Sequence, residues 1–301
     1  MLRLAGSLTA LATPFRDGRF DEEAYRAHVI EQLAEGTSGL VPVGTTGEAV
    51  TMSAAERSRA VRVAVETASG RIPVLGGAGS NSTQATIENI GQVRDAGADA
   101  ALVVTPYYNK PNQAGLFEHY RACVRAHPGF PLVLYNVPGR TGCDLLPETC
   151  LRLCDFTEVV ALKEATGSMV RAVDILEKCG DRLTLLSGDD FTAAPFVALG
   201  GEGVISVSSN VVPRKMAELV AAARTGERSR ARDLQVALNP LHRLLFVEPN
   251  PIPVKWALHL LGRFGPEVRL PLVPLGEPHA SALAAELSRL GLGRRAGQLR
   301  S

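Results

Sequence analysis

Neither sign of charge prevails in this chain of 301 residues: 32 lysines and arginines face 31 acidic side chains, a formal net charge of +1. That balance gives no basic footprint for nucleic acid and no electrostatic handle for a membrane surface. Long apolar runs are missing too; none approaches the roughly 18 residues that a membrane-crossing helix needs. Cysteine is sparse, five residues at 123, 143, 150, 154 and 179 with no C-x-x-C spacing. An odd, loosely spaced set fits reduced thiols in a cytoplasmic protein better than a disulfide framework. The six histidines contain no H-x-x-x-H and none pairs with a cysteine at ligand spacing, so no metal site is expected. The opening MLRLAGSLTALATPF has the Arg3 and small residues of a short leader, but Gly6, Ser7 and Thr9 interrupt its apolar run. It reads as a first strand.

What is present is a composition of 46% hydrophobic and 21% charged residues, that of a globular protein with a large core. Eight short apolar runs, at 7–13, 39–45, 72–78, 100–106, 131–137, 159–165, 183–189 and 203–209, are continuous rather than alternating. Strands covered on both faces in a parallel sheet have that pattern. Amphipathic stretches separate them and carry helix-start signals. Ser53 and Glu56 have capping-box spacing, Asp21 can cap a helix over 22–35 with Gly36 closing it, and Pro147 suits a first turn. Eight strand–helix units predict a (β/α)8 TIM barrel over 1–226, followed by a C-terminal helical region over 227–301 whose polar end, Arg294–Ser301, is expected to fray.

Within that frame one residue stands out. Lys163 ends the run Val159-Val160-Ala161-Leu162, and an ammonium group beside a protein interior is costly unless paired or neutralised. The plain reading is a solvated surface lysine. In a barrel, however, strand C-termini converge on the active face, and the polar residues here collect there. Gly44-Thr45-Thr46-Gly47-Glu48 follows the second run, Tyr107-Tyr108 the fourth, and Ser187-Gly188-Asp189-Asp190 the seventh; Tyr135-Asn136 ends the fifth. A neutral lysine amine in such a mouth is a nucleophile for carbonyls, and a nearby tyrosine can move the protons that imine chemistry requires. The GTTGE turn offers backbone N–H groups and two hydroxyls to a small carboxylate or phosphate, though a plain strand-to-helix turn looks the same. Arg140, three residues beyond its strand, can clamp a carboxylate in a bidentate manner, although a lone loop arginine is usually just solvated.

Two other motifs fail. Val160-Ala161-Leu162-Lys163 is similar to the strand lysine of protein kinases, but no upstream glycine-rich loop, HRD or DFG accompanies it. Gly77-Ala78-Gly79 is similar to a dinucleotide fingerprint, but Ser82 stands at its third glycine and Asp99 precedes a strand instead of ending one. No cofactor is expected.

In order, GTTGE, TPYYNKP, YNVPGRTG, LKEATG, SGDD and GVISV, followed by FVEPNPIPVK, resemble the class I, Schiff-base aldolases of the dihydrodipicolinate synthase and N-acetylneuraminate lyase family over essentially the whole chain. YNVPGRTG with GTTGE favours the synthase branch. The resemblance implies that Lys163 forms an imine with pyruvate and that Tyr135 is the general acid/base. Thr45 would link Tyr135 to Tyr108 of the partner subunit. It implies that Thr45 and Thr46 hold the pyruvate carboxylate, that Gly188 and Ile205 line the same pocket, and that Arg140 receives aspartate 4-semialdehyde. The reaction implied is condensation of these two substrates to 4-hydroxy-tetrahydrodipicolinate, the first committed step toward diaminopimelate and lysine, without cofactor or metal, in a homotetramer built as a dimer of tight dimers. A sibling aldolase acting on a sugar acid or another 2-oxo acid is the alternative reading.

Family members inhibited by lysine use polar side chains at the tight-dimer interface. Asn81 and Tyr107 match them here, whereas Ala49, Ala54 and Ala85 fall where a serine, a histidine and a glutamate are expected, and Arg57 replaces a second histidine. Insensitivity to lysine is the expectation.

Overall fold

Apolar runs with no alternation must be buried on both faces, and in the computed structural model, which describes residues 2–293, they are. Eight strands, β1 (Gly6–Ala10), β2 (Gly39–Val41), β3 (Leu75–Gly77), β4 (Ala100–Val104), β5 (Leu132–Asn136), β6 (Val159–Glu164), β7 (Thr184–Ser187) and β8 (Gly203–Ser206), lie parallel in the order β2-β1-β8-β7-β6-β5-β4-β3. The bridge Leu40↔Val74 brings β2 against β3 and all but closes the barrel. Two backbone bonds, from Leu40 N–H to Pro73 and from Gly77 N–H to Pro42, run along this seam.

Successive side chains on a strand point to opposite faces. Val133 and Tyr135 of β5, Ala161 of β6, Leu186 and Ile205 therefore fill the barrel with Leu8, Val41 and Leu75, while Leu132, Leu134 and Leu162 meet the surrounding helices. Lys163 shares the inward face with Ala161.

The helix signals act as expected. Asp21 accepts from Ala24 N–H ahead of helix Glu22–Ala34, Ser53 and Glu56 form both bonds of a capping box on Ala54–Ala68, and Pro147 opens Pro147–Leu153. Helices Arg228–Leu244, Ile252–Leu260 and His279–Arg289 follow the last barrel helix, Pro213–Arg224, and bury Leu238, Leu241, Val254, Leu258 and Leu283 with Val204, Met216 and Leu219. The expected frayed end at 294–301 lies outside the described residues.

Two differences from the sequence reading have physical causes. The strand at 39–45 stops at Val41, because the buried Pro42 and Val43 belong to the turn; Val43 already has a positive φ of 49°. A small antiparallel pair, Phe15–Arg16 with Arg19–Phe20, is joined by Asp17 and Gly18 at φ 53° and 74°, the left-handed pair that a tight hairpin demands. Among the described residues no helix is long and apolar enough to cross a membrane, and all five cysteines are free thiols.

Candidate active site

The chemistry begins where β5 and β6 end side by side. Tyr135 and Lys163 are register partners, followed by Asn136 and Glu164. Lys163 is buried, 6% exposed, and its Nζ lies 4.3 Å from the centre of the Tyr135 ring. Among the described residues no carboxylate or hydrogen-bond acceptor pairs with that nitrogen. The aromatic face of Tyr135 is what this nitrogen meets, an arrangement open to attack on a carbonyl.

The outward-facing residues of the same pair brace it. Asn136 Nδ2 donates to Glu164 Oε2 at 3.0 Å and to Asp144 Oδ1 at 2.8 Å, and Asn136 Oδ1 accepts from Leu145 N–H. Glu164 Oε1 accepts from Thr166 N–H at 2.7 Å, and Arg171 forks onto Asp144 at 2.8 and 2.7 Å. Burial pushes the Glu164 carboxyl above its ordinary range, against the bonds from Asn136 and Thr166; the Arg171 guanidinium holds Asp144 below its own. Sequence reasoning named neither Asn136 nor Asp144 for any role. The available signal was a polar residue directly following each inward-facing candidate.

Across the mouth, the GTTGE turn is closed by Gly47 N–H and Ala49 N–H to the Gly44 carbonyl and by Glu48 N–H to Thr45. It packs so tightly on β3 that a Cβ on Gly77 would stand 2.1 Å from the Val43 carbonyl oxygen. Thr46 is buried, and its Oγ1 accepts from Asn250 Nδ2 at 3.0 Å. The Asn250 carbonyl in turn accepts from the Arg140 guanidinium at 3.4 Å. Asn250, which lies in the stretch FVEPNPIPVK, thus joins Thr46 to the exposed Arg140 at the outer rim. Gly188, whose N–H bonds the Glu164 carbonyl at 2.7 Å, lies against Lys163, and Ile205 is packed in the barrel interior with Tyr135.

Tyr108 stands apart. It is 87% exposed with φ 75°, and its backbone N–H donates to the Thr141 carbonyl at 3.2 Å. Among the described residues no hydrogen bond joins Tyr135, Thr45 and Tyr108. A cavity of about 1320 Å³ beside helix Glu22–Ala34, lined by Asp21, Arg214, His259 and Arg263, contains none of the residues above; size does not mark this site, convergent chemistry does.

A buried lysine with no carboxylate partner among the described residues, beside a tyrosine at the strand ends of a (β/α)8 barrel, fits a lyase of the class I, Schiff-base-forming aldolase type. The profile of the dihydrodipicolinate synthetase family matches residues 3–290, and the chain belongs to that family. It is 53% identical to the 4-hydroxy-tetrahydrodipicolinate synthase of Anaeromyxobacter sp. (strain Fw109-5) over 97% of this chain and 99% of the relative. The synthase of Maridesulfovibrio salexigens is 49% identical over 95% of this chain and 98% of its own. Among solved structures, the chloride-inhibited synthase of Acinetobacter baumannii complexed with pyruvate superposes with a TM-score of 0.94 at 42% identity, covering 96% of this chain and all of that one. A synthase described as the first monomeric variant gives 0.93 at 42% identity, covering 96% of this chain and 97% of that one.

Proposed function

We propose that this protein condenses pyruvate with L-aspartate 4-semialdehyde to 4-hydroxy-tetrahydrodipicolinate through an imine on Lys163. The observation that carries the reading is the buried Nζ of Lys163, without a carboxylate partner among the described residues and 4.3 Å from the Tyr135 ring centre. The amine attacks C2 of pyruvate and water leaves. Loss of a methyl proton gives the enamine, whose carbon attacks the aldehyde. The amino group of the second substrate then adds to C2, closes the ring and releases Lys163. The imine itself supplies the electron sink for these steps.

Each proton transfer needs a group within reach of the imine, and Tyr135 serves as that acid/base. Thr45 and Thr46 take the pyruvate carboxylate, Gly188 and Ile205 bound the same space, and Arg140 at the rim takes the carboxylate of the semialdehyde. Tyr108 projects from its own chain, and we assign its hydroxyl to the relay Tyr135–Thr45 of the partner subunit in a homotetramer. Free thiols and the absence of a membrane-crossing helix among the described residues are compatible with the cytoplasm, where we place the enzyme.

The test is reduction with borohydride in the presence of pyruvate. Irreversible inactivation with the added mass on the peptide containing Lys163 is expected. A label on another lysine, or none, defeats the mechanism.

A further inference from the structure

Lys163 and Lys255 are the two buried lysines among the described residues. Lys255 is fully buried, and its Nζ lies 2.5 Å from Glu48 Oε1, itself buried. The other carboxylate oxygen of Glu48 accepts from Arg269 N–H at 3.0 Å. The ring of Phe15 lies 4.3 Å from Lys255 Nζ and 4.1 Å from the Arg269 guanidinium carbon. Arg269 forks onto Glu56 at 2.9 and 2.5 Å and donates to the carbonyls of Thr51 and Gly18. This group of charges ties the turn after β2 to the chain more than 200 residues later.

Such a pair is a poor way to gain stability. Burial, joined by repulsion from the Arg269 charge, pulls the Lys255 ammonium below its ordinary range, against the attraction of Glu48, and well-packed apolar residues can replace buried ion pairs with no loss of stability. What an ion pair provides is direction: a carboxylate fixed from two sides has one position. Glu48 is the last residue of the GTTGE turn, two beyond Thr46, and holds a left-handed φ of 54°. Any shift of its side chain moves the turn that presents Thr45 and Thr46.

Resting on the proposed reading that these threonines hold the pyruvate carboxylate, we infer that Glu48 and Lys255 are positioning residues, setting the depth of the carboxylate cradle relative to the Lys163 amine. Lys255 itself is no second nucleophile, because its nitrogen is committed to Glu48.

The experiment compares the wild type with the charge-neutral pair Glu48→Gln/Lys255→Met and with Glu48→Asp, which keeps the pair but shortens its arm. Circular dichroism and a thermal melt establish folding. A displaced cradle raises the apparent KM for pyruvate about tenfold or more, leaves kcat within about threefold, and leaves the KM for the semialdehyde nearly unchanged. Loss of active fraction alone would lower kcat and spare KM. A folded variant of either kind with a wild-type pyruvate KM overturns the inference; should the double variant fail to fold, Glu48→Asp decides. Borohydride trapping of pyruvate on wild-type Lys163 is run alongside. Its failure defeats the functional reading itself, whatever the variants do.

Discussion

Gly188 is shaped to Lys163: a methyl group on it would stand 2.9 Å from Lys163 Cε and 2.6 Å from the Ala165 Cβ. Real Cβ atoms do not approach that closely, and Ala165, held on the backbone, has little room to yield. Gly188→Ala is therefore expected to displace the lysine arm. The rate of borohydride trapping with pyruvate should fall about tenfold or more, with a stability loss of about 1–3 kcal/mol from overpacking. A wild-type trapping rate would mean that the arm simply steps aside.

Arg140 is exposed, and among the described residues its guanidinium reaches the rest of the site through the Asn250 carbonyl. Arg140→Ala should raise the KM for aspartate 4-semialdehyde strongly, by about 1.5–3 kcal/mol or roughly 10- to 150-fold for a lost charge-assisted bond. Imine formation with pyruvate should persist. Equal damage to both substrates would place Arg140 at the first one instead.

Acid should weaken the fold before it titrates ordinary carboxylates. His28, bonded through Nε2 to Asn210 Oδ1 and with Nδ1 unpartnered among the described residues, is held down to about 4 by burial. His119, behind Thr83, is held down to about 4 for the same reason. The unfolded chain gains a proton at each near 6.5, while the folded chain stays neutral until about 4. Stability is complete above 6.5 and is lost as pH falls from there toward 4, by up to about 1.4 kcal/mol per pH unit for each group. Urea midpoints at pH 7.5 and 5 should differ accordingly, and an equal midpoint would show both rings protonated or exposed in the native state.

Lysine should not inhibit this enzyme at millimolar concentration. In this chain the positions expected to supply acceptors are Ala49, Ala54 and Ala85. The guanidinium of Arg57 is engaged by the Met52 carbonyl and Asn89 Oδ1. A desolvated ammonium without its carboxylate loses about 1–3 kcal/mol or more, and an arginine in place of a histidine adds repulsion. Activity at saturating pyruvate, with and without lysine, checks this; clear partial inhibition would reveal a rebuilt site.

The barrel was legible because both faces of each strand are covered, so apolarity runs unbroken through them. That same signal overshoots at strand ends, where Pro42 and Val43 are buried within a turn. The hairpin at Phe15–Phe20 escaped notice although Asp17-Gly18 is a tight-turn pair, since two-residue strands have no period to read. Lys163 and Tyr135 could be picked out because a polar group ending an apolar run is locally odd. Asn250 and Lys255 lie in the stretch FVEPNPIPVK that shares the resemblance, but no role for either was legible there. Lys255 sits in helix Ile252–Leu260 as any surface lysine would, and only the fold shows it fully enclosed.

The bond between Thr46 and Asn250 spans 204 residues of chain, and that separation sets a schedule. All eight strands have been synthesised by Ser206, so a nascent chain can close its barrel while Asn250 is still inside the ribosome. Such a chain already carries the lysine, the tyrosine and both threonines. It lacks the side chain that seats Thr46 and the carbonyl that receives Arg140. The helical region after the barrel thus acts as a delayed latch: the bond that seats Thr46 forms only once Asn250 has joined a barrel already closed.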